Sequence, residues 1–223
     1  MERATSQPNR LSRRQVLATT GTVVGGLSAS AGCLGQGGSS YDCESAPESS
    51  VSSAPTPALG PSQTDANVVI QVWEDFSCPH CATFSLEVLP RIIDEYLPLG
   101  TIRYEHHDFP IPVRDWAWKA ASAGRSVATT GGGKAFFLYA DKVYQNQESF
   151  SLDTVGAGAE QADTEPCEAI QAAKGDVYRP VVRRDKEAGQ QAGVDGTPAI
   201  FVNGSRVTGR SFDAVSSAID RFR

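Results

Sequence analysis

Cys78-Pro79-His80-Cys81 is the stretch that most constrains this chain. It follows an apolar run, Val68 to Phe76, and it opens a helical pattern. Residues i and i+3 share one face of a helix's first turn, with Cβ atoms about 5–6 Å apart, so two cysteines so placed can bridge after modest adjustment. The free N–H groups and positive dipole end of that turn favour thiolate over thiol. Pro79 suits the first helical position, where an N–H would have had no partner. The spacing therefore points to thiol–disulfide exchange.

Other readings of the pair are weaker. A zinc site would need two more ligands, and His106 and His107 are the only other histidines. Adjacent strand residues point to opposite faces, so both cannot readily serve one metal; no metal is expected, and both histidines read as strand-end surface. A purely structural Cys78–Cys81 bridge would close too short a loop to stabilise much. The remaining cysteines are Cys33, Cys43 and Cys167. Five in 223 residues are too few for a disulfide scaffold. Cys43 is left to pair with Cys167, to pair with another chain, or to stay unpaired. The net charge of −6, with no basic run beyond the N-terminus except Arg183-Arg184, argues against nucleic-acid binding.

Residues 1–33 read as a targeting segment. Arg10 and Arg13-Arg14 precede an uncharged, mildly apolar stretch, Val16 to Gly32, too weakly hydrophobic for a permanent span. Ser12-Arg13-Arg14-Gln15-Val16-Leu17 resembles a twin-arginine export motif. Ser30-Ala31-Gly32-Cys33 resembles a lipobox, with Ser30 where leucine is usual, which makes Cys33 the expected lipidation site. The mature domain is then expected outside the cytoplasm, on the outer face of the membrane or secreted. Residues 34–64, rich in Gly, Ser and Pro, hold few large apolar side chains and are expected to form a flexible tether.

The folded domain is expected over 65–223. A buried strand spans Asn67 to Phe76, and a helix runs to about Leu97 with a kink at Pro90. A second strand covers Thr101 to Asp108. Helical patterns then occupy about 113–192, interrupted at Gly131-Gly132-Gly133. A strand at Ala199 to Val202, the turn Asn203-Gly204, a return at Arg206 to Thr208 and a helix capped by Ser211 close the chain. The order is α/β, one domain with a helical insertion.

With the cysteine motif on a strand–helix turn and Gly196-Thr197-Pro198 before a late strand, the chain resembles the thioredoxin superfamily, and the insertion makes it look DsbA-like. The resemblance implies a thioredoxin-like fold and a protein-disulfide oxidoreductase needing no added cofactor. By the same resemblance Cys78 is the exposed nucleophile, Cys81 the buried resolving cysteine, and Cys78–Cys81 the redox disulfide. Pro198 becomes the cis-proline facing the pair, and Thr197 offers backbone bonds to substrate. Asp75 matches an acidic position suited to proton transfer to Cys81, or it caps the turn. Val72 stands where many relatives carry another acid, which leaves Glu74 as a substitute, and Cys167 falls where a lone cysteine is common. His80 is placed to donate to the Cys78 thiolate. Pro-His between the cysteines, in place of the Gly-Pro of thioredoxin-type reductases, favours disulfide donation to exported proteins. A membrane partner would reoxidise the pair. The alternatives are a reductase or isomerase on the same site, or a lipid-anchored binding or chaperone module without redox activity.

Overall fold

In the computed structural model, residues 39–112 and 116–223 are described. The expected export motif and Cys33 lie outside the described residues, as do 113–115 at the start of the expected insertion.

The chain builds β1 (Ala58–Leu59), β2 (Val68–Glu74), α1 (Pro79–Thr83), α2 (Leu89–Tyr96) and β3 (Ile102–Asp108). Four helices follow: α3 (Trp116–Gln145), α4 (Leu152–Gln161), α5 (Pro166–Lys174) and α6 (Arg179–Gln191). Then come β4 (Ala199–Val202), β5 (Ser205–Arg206) and α7 (Phe212–Asp220). The sheet order is β1-β3-β2-β4-β5, with β2 parallel to β3 and antiparallel to β4. The β2–β3 pairing runs in register from Val68 opposite Ile102 to Glu74 opposite Asp108.

Period-two alternation sorts the core. Val68, Ile70 and Val72 join Ile102 and Tyr104 under Ile92 and Tyr96 of α2 and Val215 and Ile219 of α7. Trp73 points to the other face, against Phe201, Phe109 and Gly189 of α6. The thioredoxin-like α/β arrangement with its helical insertion is the one expected, and Ser151 and Ser211 cap α4 and α7 through their hydroxyls.

Local departures have physical causes. The irregularity tied to Pro90 is a π-helical turn at Phe84–Val88, where the Leu89 N–H bonds to the Phe84 carbonyl five residues back. Proline supplies no N–H and its ring crowds the carbonyl four residues earlier, so the ladder widens just before it. The interruption in α3 falls at Gly132 (φ 77°, ψ −172°), a backbone state that favours glycine. The β4–β5 return pairs one residue earlier than expected, at Ser205–Arg206, and Val207 N–H still reaches the Ile200 carbonyl.

The main correction concerns the expected flexible tether. From Ser39 to Ser62 the chain is laid along the domain. Cys43 is bonded to Cys167 of α5, the Tyr41 ring sits where Gly156 lacks a side chain, and β1 pairs with the β3 edge. Val51 N–H bonds to the Val177 carbonyl at 2.8 Å, and the Pro55, Pro57 and Pro61 carbonyls accept from Arg125, the His106 N–H and Arg103. A tally of apolar side chains misses such a strap, because backbone acceptors and a disulfide hold it.

Gly133 carries a testable consequence. A Cβ there would lie 1.8 Å from the Ala58 carbonyl oxygen. Gly133→Ala is therefore expected to push β1 from the sheet edge and cost about 1–3 kcal/mol, as overpacking does. Urea denaturation checks this, and an unchanged midpoint would contradict the close approach.

Candidate active site

Cys78 is the N-cap of α1, with extended backbone (φ −88°, ψ 120°), and Pro79 occupies the first turn. The Cys78 carbonyl accepts from the Cys81 and Ala82 N–H groups at 3.0 and 3.1 Å, which closes the turn. Both cysteines are in the dithiol state, with Cys78 6 % exposed and Cys81 fully buried. The motif thus has one sulfur near the surface and one beneath it.

Their acidities are pushed apart. The Cys78 thiol falls from 9.0 to about 5, chiefly because the Cys81 thiol donates to its sulfur. Burial opposes this, while the Thr197 side chain and the N–H groups of Cys81 and His80 assist. The neutral Cys78 thiol donates to the Thr197 carbonyl at 3.4 Å. Thr197 Oγ1 is buried with no other partner, so it is a donor available once the proton leaves. Cys81 moves the other way, well above the ordinary thiol value, first because it is buried and then because it donates to Cys78. Cys78, expected to be exposed, is thus itself largely covered, and a thiolate there above a fully buried thiol is the charge distribution that exchange chemistry requires.

Pro198 follows a cis peptide bond and lies with Thr197 beside Cys78. Asp75 is buried, and its backbone N–H approaches the Cys81 sulfur at 3.5 Å. Its carboxylate accepts from the Ser77 and Ile111 N–H groups at 2.7 and 2.8 Å. Burial lifts that carboxyl to about 6 against those two bonds, with the charges of Cys78 and Asp108 adding to the rise. Asp75 therefore both caps the turn and titrates near neutrality. The exposed His80 ring is turned to Arg210, whose guanidinium donates to Nδ1 at 3.2 Å. A guanidinium has no acceptor, so this contact puts the ring proton on Nε2.

Three features escaped the sequence. Gln147, in a short turn of the insertion, donates through Nε2 to the Phe76 and Cys78 carbonyls at 2.7 and 2.9 Å and so fixes the motif's backbone. Arg210 belongs to no motif. Beneath the site lies a buried ion network. His106 is buried, not strand-end surface, between Glu74 at 3.1 Å and Asp108 at 3.2 Å. Arg125 continues the chain to Asp108 at 2.6 Å and to Asp185. His107, on the opposite face, stacks on Trp73 at 4.7 Å. Burial disfavours the His106 imidazolium, but the Asp108 and Glu74 carboxylates raise it to about 9. The signal was there to read: Glu74 ends a buried strand, and Glu105-His106-His107-Asp108 puts charge on both faces of its neighbour.

Trp116 stacks on Phe150 at 5.9 Å and Trp118 lies under Arg179, and both border the core cluster of the insertion that also holds Cys78 and Cys81.

The family model described as thioredoxin matches residues 53–221. The probable disulfide bond formation protein D of Bacillus cereus is 30 % identical over 166 residues, covering 70 % of this chain and 74 % of that protein. Its Bacillus anthracis counterpart is 29 % identical over the same length and coverage. In fold, the chain is similar to oxidised BdbD from Bacillus subtilis, with a TM-score of 0.67 and 20 % identity over 78 % of this chain and 97 % of that one. Chlamydia trachomatis DsbA gives 0.66 and 21 % identity, over 74 % and 89 %. The family match begins at residue 53, inside the strap, which fits the strap's place in the domain. With the family model spanning most of the chain and the fold built around the cysteine pair, the chain is a member of the thioredoxin family, in its DsbA-like form.

Proposed function

We propose that this thiol–disulfide oxidoreductase donates disulfides to exported proteins outside the cytoplasm. The observation that carries the reading is the divergence of the two cysteines: Cys78 held near 5 and Cys81 held protonated well above 9. At pH 7 such a thiolate stabilises the dithiol by about 3 kcal/mol relative to an ordinary thiol. The oxidised pair gives its bond away readily in consequence.

A substrate thiolate attacks the Cys78 sulfur of the Cys78–Cys81 disulfide, forming a mixed disulfide and releasing Cys81 as thiolate, which takes up a proton. A second substrate thiolate attacks the substrate sulfur and expels Cys78 as thiolate. The substrate is oxidised by two electrons and the pair is reduced by two. Asp75 exchanges the Cys81 proton, Pro198 and Thr197 offer the substrate edge, and Pro79 and His80 shape the turn. A membrane redox partner restores the disulfide, and a lipid on Cys33 tethers the domain to the outer face. The family relationship and the N-terminal residues 12–17 and 30–33 support these last two points.

Oxidative refolding of a reduced substrate beside insulin reduction tests the direction. Faster refolding than insulin reduction is expected, and the reverse would favour a reductase.

The thiolate itself gives a pH prediction. Absorbance of the reduced protein near 240 nm is expected to rise with a midpoint near pH 5, through Cys78 alone. The folded value lies below the unfolded one, so the unfolded state binds more protons between them. Stability of the dithiol form therefore rises from about pH 5 to 9, is complete above the unfolded value, and is lost as pH falls through about 5. A midpoint above pH 7 would contradict the site's electrostatics.

A further inference from the structure

A groove of about 320 Å³ runs from Pro198 along the β4–β5 return, lined by Ile200, Arg206, Val207, Thr208 and Arg210 among others. No aspartate or glutamate lines it. Arg206 is matched outside the groove by Asp195 at 2.6 Å. Arg210 is exposed, and among the described residues its one polar side-chain contact is the neutral acceptor Nδ1 of His80. The guanidinium thus stands between the groove and the cysteine motif with its charge uncompensated, on a chain whose net charge is −6. The floor is small and apolar at Pro198 and Ala199; β5 pairs with β4 at Phe201 and Val202, and the Val207 N–H takes the Ile200 carbonyl, so the β4 edge is left open at Ala199, beside Pro198. The β4 end nearest Pro198 can take an extended peptide, as sheet edges do.

We infer that Arg210 is a specificity-determining residue, selecting substrate segments with an aspartate or glutamate beside the reacting cysteine. This rests on the exchange activity proposed above. A carboxylate there gains a charge-assisted hydrogen bond from a fork already oriented by His80, and a lysine there meets like charge. Rim charges act mainly through association rate and salt dependence, so the preference belongs to the rate of mixed-disulfide formation.

The experiment uses oxidised full-length protein and short peptides, each with one cysteine flanked by Glu, Gln or Lys. Each rate is divided by the same peptide's rate with the uncharged 2-hydroxyethyl disulfide, which removes the neighbours' effect on the thiol without adding a charge of its own. At low salt, where charges act over about 30 Å, wild type should prefer the Glu over the Lys peptide about fivefold. The ratio should shrink toward one in 1 M salt, where screening is complete within about 3 Å. Arg210→Gln should abolish the preference at low salt, Arg210→Lys should keep part of it, and Arg206→Gln should reduce it less than Arg210→Gln does. Equal normalised rates in wild type, or an unchanged ratio in Arg210→Gln, would overturn the inference while leaving the exchange reaction intact. Oxidation of no peptide at all by wild type would instead overturn the proposed activity, and this inference with it.

Discussion

Cys78→Ser is expected to lower disulfide transfer at least about a thousandfold, because a hydroxyl is neither ionised at neutral pH nor able to form the mixed disulfide. The fold should survive. Cys78 sits at the helix cap with no side-chain capping bond, and serine is a favoured N-cap. Cys81→Ser should behave differently. It keeps the proposed nucleophile Cys78 but removes the proposed resolving thiol, so the Cys78 thiolate attacks a disulfide-bonded substrate, expels one substrate thiolate, and the mixed disulfide accumulates on non-reducing gels. Replacing Cys43 and Cys167 together should leave transfer largely intact, since that pair joins the strap to α5, away from the motif. Equal activity of wild type and Cys78→Ser would remove the site from the reaction.

The second large effect is on stability. Arg125→Met should cost about 3–5 kcal/mol, the usual penalty for breaking a buried ion pair from one side. Arg125 is 1 % exposed and serves Asp108, Asp185 and the Pro55 carbonyl, so its loss leaves Asp108 buried against His106 alone and frees part of the strap. Burial alone would raise the Asp108 carboxyl, and Arg125 and His106 hold it below the ordinary value. The network also sets a pH window. His106 titrates higher folded than unfolded, so its contribution is complete below about 6.5 and is lost as pH rises through about 9. In Arg125→Met the paired Asp108→Asn should recover part of the loss, as removing both charges does. Urea midpoints measure this, and a cost under about 1 kcal/mol would show that the network contributes little.

Much of the fold was legible because its signals are local. The β-branched run before Cys78, the Asn203-Gly204 turn, the Ser211 cap and the Gly131–Gly133 break each follow from the residues at hand. So did the meeting of Cys78 with Thr197 and Pro198, through the family pattern. What was missed depends on contacts distant in sequence. The strap is held by carbonyls and by Cys43–Cys167 across 124 residues, and no hydropathy pattern records such bonds. Arg125 completes a charge cluster begun at Glu74, and Gln147 reaches back about seventy residues to the Cys78 carbonyl. Single polar residues in unpatterned positions become readable only when the chain is folded.

In the proposed function, the environment of Cys78 makes the dithiol the favoured state of the pair. Its reduction potential, measured by equilibration with glutathione, tests that most directly. A thiolate stabilised by about 3 kcal/mol at pH 7 corresponds to about 60 mV. A potential above about −220 mV is expected, more oxidising than thioredoxin at about −270 mV, and falling toward the thioredoxin value when Thr197 is replaced by valine. A wild-type potential at or below about −270 mV would contradict it.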